Sequence, residues 1–152
     1  MPSLDPNDWF SILSRISLAI FAGGIVGLER QLDRKPAGLR THMLVSLGSA
    51  LFVMTSLQLG THGNDNTSRV IQGIVSGIGF LGAGEIFAKS RSTPDDVKIQ
   101  GLTSAAAIWV SASLGVAAGS GLWFVASTGA IATLIILKMV KAAEKYMDRE
   151  DS

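Results

Sequence analysis

An ionisable side chain inside a greasy stretch of sequence demands an explanation, because placing it at the centre of a bilayer costs about 2.5–3.5 kcal/mol. Four such places stand out in this chain of 152 residues. Arg15 lies about six residues into the first apolar run, Glu29 with Arg30 ends that run, Arg40 with Thr41 and His42 opens the second, and Glu85 sits about one turn from the end of the third. Two chemistries suit this set. Should Glu29 and Glu85 approach within a few ångströms, with His42 beside them, they are candidate ligands for Mg²⁺, which takes oxygen donors at about 2.0–2.1 Å and keeps several waters. Should they pair instead with Arg30 and Arg40, the cluster is a neutralised structural lock. The residue types allow both.

Other chemistry is poorly represented. His42 and His62 are predicted on opposite sides of the membrane and cannot share a site. There is no GxSxG or HExxH motif, and Gly79-Phe-Leu-Gly82 lacks the Lys-Ser/Thr of a phosphate loop. The absence of cysteine excludes disulfides, thiolate zinc sites and a thiol nucleophile. No enzymatic activity is expected. A net charge of only +1 gives no footprint for nucleic-acid binding.

Glycine is the second signal. Gly23-xxx-Gly27, Gly73-xxx-Gly77 and Gly115-xxx-Gly119 place small residues on one face of three runs, a pattern that serves helix packing within a chain or pairing between copies. From Gly77 through Gly79, Phe80, Gly82 and Gly84 to Glu85 the glycines are dense enough either for tight packing or for a local unwinding that exposes carbonyls to an ion or substrate.

The elements that must position these residues are membrane helices. Five apolar stretches, about 9–28, 41–60, 70–88, 101–119 and 122–137, are each near the roughly 20 residues needed to span hydrocarbon. None shows a continuous polar face at helical spacing, as a soluble bundle would. Hydrophobic residues make up 47% of the chain and charged residues only 16%, which agrees. The fold expected is an all-α, polytopic integral membrane bundle of about five transmembrane helices forming one domain over 1–152.

Charge asymmetry orients it. Eleven of the 13 basic residues fall in the loop holding Arg30, Arg34, Lys35 and Arg40, in the loop holding Lys89, Arg91 and Lys98, and in the tail with Lys138, Lys141, Lys145 and Arg149. By the positive-inside rule these are cytoplasmic, so the N-terminus lies outside, and 138–152 is an inner tail with alternating charge along a helix. Trp9 and Trp123, with Phe10 and Phe124, then fall at the outer interface, whereas Trp109 is mid-span and expected to pack. No basic n-region or small-residue cleavage site accompanies the first run, so no cleaved signal peptide is expected. Glu29, Arg30, Arg40, Thr41, His42 and Glu85 are expected to converge at the inner mouth of the bundle.

Several stretches carry a family resemblance: Gly27-Leu-Glu-Arg-Gln31; Lys35-Pro-Ala-Gly-Leu-Arg-Thr-His-Met-Leu-Val45; Ser68-Arg-Val70; Gly77-Ile-Gly-Phe-Leu-Gly-Ala-Gly84; and Gly101-Leu-Thr-Ser-Ala-Ala-Ala-Ile-Trp-Val110 followed by Gly115-Val-Ala-Ala-Gly119. In order and content they resemble the membrane domain of the MgtC/SapB family. The resemblance implies a bacterial inner-membrane, multi-pass protein linked to growth in low magnesium and, in pathogens, to virulence. It implies regulation of another membrane protein, with the F-type ATP synthase or an ion transporter as candidate partners. By motif it singles out Glu29, Arg30, Gly38, Arg40, Thr41, His42, Gly79, Phe80, Gly82, Gly84, Gly101, Leu102 and Thr103. Many relatives carry a soluble C-terminal domain, for which residues after Leu137 are too few, and some a cysteine in the third span, which this chain lacks.

Two functions are therefore expected in competition. One is a non-enzymatic module that lies in the bilayer, forms a homo-oligomer or binds a membrane-protein partner, and tunes it. The other is a transporter or channel for Mg²⁺ or another ion, using Glu85, Glu29 and the glycine-rich third span.

Overall fold

The structure, a computed structural model, describes residues 8–59, 64–87 and 101–140. Asp5, His62, Lys89, Arg91, Lys98 and the tail residues Lys141, Lys145 and Arg149 lie outside them. Five α-helices are present, α1 (Trp9–Leu32), α2 (Leu39–Leu59), α3 (Asn64–Phe87), α4 (Leu102–Gly119) and α5 (Trp123–Ile135), the last running on into a π-helical turn at Ile136–Val140. There is no strand among the described residues. α1, α2 and α4 are each long and apolar enough to cross a membrane, and Trp123–Met139 forms a shorter apolar run. α3 has 24 residues, about 36 Å of helix, but its first turns hold Asn64, Asp65, Asn66 and Arg69.

α1, α2 and α4 form the centre, and glycine sets how close they come. A Cβ on Gly27 would sit 2.8 Å from the Leu39 Cα, and one on Gly23 would sit 2.6 Å from the His42 carbonyl oxygen. The falling numbers on α1 against rising numbers on α2 make this pair antiparallel. Gly115 meets the Ser46 backbone and Gly119 the Ala50 backbone, so α2 and α4 run parallel. The Ser46 hydroxyl donates to the Ala19 carbonyl at 2.7 Å, fastening α2 to α1 at the same level. α5 closes the other side, with Ala126 and Ala130 fully packed against α1 and α4. α3 is the outermost element. Its Ile78 packs with Ile108 and Ala112 of α4.

The interior is built of alanine, serine and glycine, and the large side chains point outward. Phe80 is 89% exposed and Phe124 81%, while the largest fully buried side chains are His42, Val26, Val53, Ser46, Ser104 and Ser111. In water that arrangement would leave an extensive aggregation-prone surface. In lipid it is the expected one, because association there rests on close backbone approach and interhelical hydrogen bonds rather than on burying bulky apolar groups. Trp109 departs from the sequence expectation: it is 49% exposed, at the edge of the α3–α4 contact rather than inside the bundle.

The glycine-rich part of α3 also differs from both sequence readings. The helix is unbroken through Gly77–Glu85. Gly82 makes an ordinary contact, its Cβ position lying 3.5 Å from the Ala105 side chain, while Gly77, Gly79 and Gly84 have no neighbouring atom within 4 Å among the described residues. An unwound turn facing lipid would leave carbonyls without partners, and the continuous helix avoids that cost.

Candidate functional site

The end of the bundle that carries the α1–α2 connection is organised by the last turn of α1. Glu29 and Arg30 are both buried, at 5% and 4% side-chain exposure, and pair with each other at 3.6 Å. Arg30 also donates from Nη2 to the Ser104 hydroxyl in the first turn of α4, at 3.1 Å. As a cation in the final turn of α1, it further complements the negative end of that helix. His42 is fully buried and lies against Gly27, with its Nδ1 2.9 Å from the carbonyl of Gly38, the residue just before α2. Glu29 Oε2, Arg30 Nε, His42 Nε2 and Ser111 Oγ are buried without hydrogen-bond partners among the described residues.

Of the residues singled out by sequence, the structure thus joins Glu29, Arg30 and His42, and adds Ser104, which the sequence reading passed over. A hydroxyl two positions into the family-like Leu102-Thr-Ser stretch was the available signal. Arg40 is not part of this cluster. It is exposed, makes no ion pair among the described residues, and lines a polar recess with Thr41, Gly38, Leu39, Gln31 and Pro36. A half-lock therefore forms, from Glu29 with its own sequence neighbour. Glu85 is half-buried, its Oε1 enclosed without a partner among the described residues, and its backbone carbonyl lies 3.1 Å from where a Gly101 Cβ would stand. Gly101 has φ of +102°, so glycine is needed there on both counts. Leu102 and Thr103 are exposed at the start of α4.

Gly38 has a local reason. The Gln31 side chain accepts from the Leu39 amide at 3.4 Å, capping α2 from the end of α1, and any side chain at Gly38 would collide with the Gln31 Oε1. No group of three or more His, Cys, Asp or Glu side chains gathers among the described residues. Magnesium ligation by Glu29, Glu85 and His42 therefore rests on fewer donors than such a site ordinarily needs.

A second polar contact sits at the other end of α1. Arg15, 8% exposed, reaches inward and donates from Nη1 to the Gly119 carbonyl at 2.8 Å. Its guanidinium also covers Gly121, whose φ is +76° and whose Cβ would stand 2.9 Å from Arg15 Cζ. A long cation this near a helix end can snorkel out to the interface, but Arg15 turns inward instead. It satisfies a C-terminal carbonyl of α4 that has no partner within the helix. α1 is thus tied to α4 at both ends, by Arg30 to Ser104 and by Arg15 to Gly119, each pair of positions fifteen residues apart. That is about 22 Å of helix. Arg15→Met is expected to lower stability by about 1.5–3 kcal/mol, the range for a hydrogen bond to a charged group. Thermal unfolding in detergent micelles reads it, and Arg15→Lys should recover part of the loss.

Comparison with known proteins adds a separate line of support. A sequence profile described as MgtC family matches residues 16–146. The chain is 39% identical over 148 residues to Protein SrpB of Synechococcus elongatus, covering 93% of this chain and 81% of that protein. It is 42% identical over 132 residues to the Putative magnesium transporter YhiD of Escherichia coli, covering 82% of this chain and 58% of that one. It is 44% identical over 119 residues to Protein MgtC of Brucella abortus, covering 78% of this chain and 45% of that one. The chain therefore spans about half the length of the last two. No solved structure matches it.

Proposed function

This chain belongs to the MgtC family, and from that premise we propose that it is a non-enzymatic, multi-pass protein of the bacterial inner membrane that regulates a partner membrane protein during magnesium limitation. An ion transporter or the F-type ATP synthase is the kind of partner intended. The basic ends of its helices would face the cytoplasm. The observation that carries the reading is the outward direction of the family-like glycines in α3: Gly77, Gly79 and Gly84 meet nothing among the described residues, and Phe80 between them is 89% exposed. Glycines at this density weaken a helix unless close approach requires them, and here the approach required is by another helix. The buried charges support the same view, since Arg30 and Arg15 fasten α1 to α4 and Glu29 pairs with Arg30.

A second reading has its own observation. The enclosed Glu85 Oε1 has no hydrogen-bond partner among the described residues, as an ion site would require, and one relative carries the name of a putative magnesium transporter.

One experiment addresses both. A photocrosslinker at Phe80, in cells starved of magnesium, is expected to capture one dominant membrane protein, and Gly79→Leu with Gly84→Leu is expected to abolish capture while leaving the melting temperature unchanged. Capture that persists in the double variant would remove the regulatory reading. Magnesium flux into liposomes holding the purified protein, lost in Glu85→Gln, would establish the transporter in its place.

A further inference from the structure

Two recesses on α2 stack one helical turn apart, and their linings differ in kind. The first is an apolar groove of about 580 Å³ between α2 and α3, walled by Leu44, Gly48 and Phe52 on one side and Val70, Gly73 and Leu81 on the other. The second, of about 460 Å³, is polar and holds Arg40 and Thr41. Arg40 precedes Leu44 by four residues, and Thr41 precedes Val45 by four, so the polar recess continues the groove toward the end of α2. Both volumes fall in the usual range of ligand pockets, about 300–1,000 Å³.

We infer that this paired recess binds one anionic phospholipid of the inner leaflet, with an acyl chain in the α2–α3 groove and the phosphate at Arg40 and Thr41.

Dimensions and charge both argue for that occupant. From Leu44 to Phe52 the groove wall on α2 is about 12 Å long, and from Val70 to Leu81 on α3 about 16 Å. One leaflet of a hydrocarbon core about 30 Å thick has the same depth. The groove wall is nearly free of polar groups: the Ser49 hydroxyl bordering it is already bonded to the Val45 carbonyl at 2.9 Å. At its open end stands Arg40, exposed and without an ion pair among the described residues, and the short connection before it adds Arg34 and Lys35, also exposed. An apolar channel ending in cations that have no ion pair among the described residues complements a molecule with a hydrocarbon chain and an anionic head. A helix of a second copy would fill the groove equally well but would leave Arg40 with nothing to answer.

The groove borders the α3 face assigned above to a protein partner and shares Gly77 with it, but the variants that test the two readings fall at different positions, and a direct count of bound lipid tests this one. The full-length protein, reconstituted into nanodiscs of equal parts phosphatidylglycerol and phosphatidylcholine, is released and weighed by native mass spectrometry. A single retained phospholipid is expected, with phosphatidylglycerol favoured about fivefold, the contribution of one basic residue near the headgroups. Arg40→Gln should bring the two lipids near parity without changing how much is retained. Gly48→Leu with Gly73→Leu should abolish retention; among the described residues neither position has a protein atom within 4 Å of its Cβ site, so the bundle should fold and melt normally. Retention unaffected by the groove variant, or equal for both lipids in the parent, overturns the assignment. So does disulfide formation by Gly73→Cys between copies in native membranes, which this cysteine-free chain reports without background and which would place a second copy in the groove.

Discussion

Arg30→Met is expected to be among the most damaging single changes in the bundle, lowering stability by roughly 3–5 kcal/mol. The side chain is 4% exposed, pairs with Glu29 at 3.6 Å and bonds to Ser104 at 3.1 Å. Its loss leaves the Glu29 carboxylate, itself 5% exposed, as an uncompensated charge in a low-dielectric interior. That penalty, rather than the net worth of the pair, dominates the effect. The double variant Glu29→Leu with Arg30→Met is therefore expected to recover most of the lost stability, because well-packed apolar residues of similar volume often replace a buried ion pair at little cost. Thermal unfolding of the four proteins of this cycle in one detergent separates the contributions. A double variant no more stable than Arg30→Met would show that the stranded carboxylate is not the cause.

The three glycine pairs, identical in spelling, are expected to respond in opposite directions. Gly115→Ala should cost about 3 kcal/mol, the upper end of the range for overpacking, because its methyl group would drive into the Ser46 carbonyl and neither backbone has anywhere to go. Gly23→Ala and Gly119→Ala should follow closely, with contacts of 2.6 Å to the His42 oxygen and 2.7 Å to the Ala50 oxygen. Gly73→Ala and Gly77→Ala should leave stability unchanged or raise it slightly, since nothing lies within 4 Å and alanine is the better helix former. Resistance to unfolding by added sodium dodecyl sulfate is a suitable measure. Equal losses at Gly77 and Gly115 would mean that α3 packs inside the bundle, contrary to its open face.

The polar residues show where sequence reasoning succeeds and stops. Convergence at the basic end was readable for Glu29, Arg30 and His42, because the ends of consecutive membrane helices must lie at the same surface. Arg40 shares that surface but points away from the interior, and no spacing rule separates it from His42, only two positions later. The 100° turn per residue decides the face, yet which face meets α1 depends on Gly23 and Gly27. Ser104 was overlooked because a hydroxyl in an alanine-rich helix is unremarkable until an arginine from another helix is aimed at it.

By itself the sequence determined that the chain is helical and membrane-embedded, which family it belongs to, and where each apolar run begins and ends to within a few residues. Those properties follow from hydropathy and motif order, which are local. Only the tertiary structure decided that two glycine pairs are buried and the third is open, that Arg15 reaches in to Gly119, and that α3 leaves a groove beside α2. Each depends on which helix stands opposite. A bilayer offers apolar surroundings on every side, so hydrophobicity cannot tell a face that meets protein from one that meets lipid.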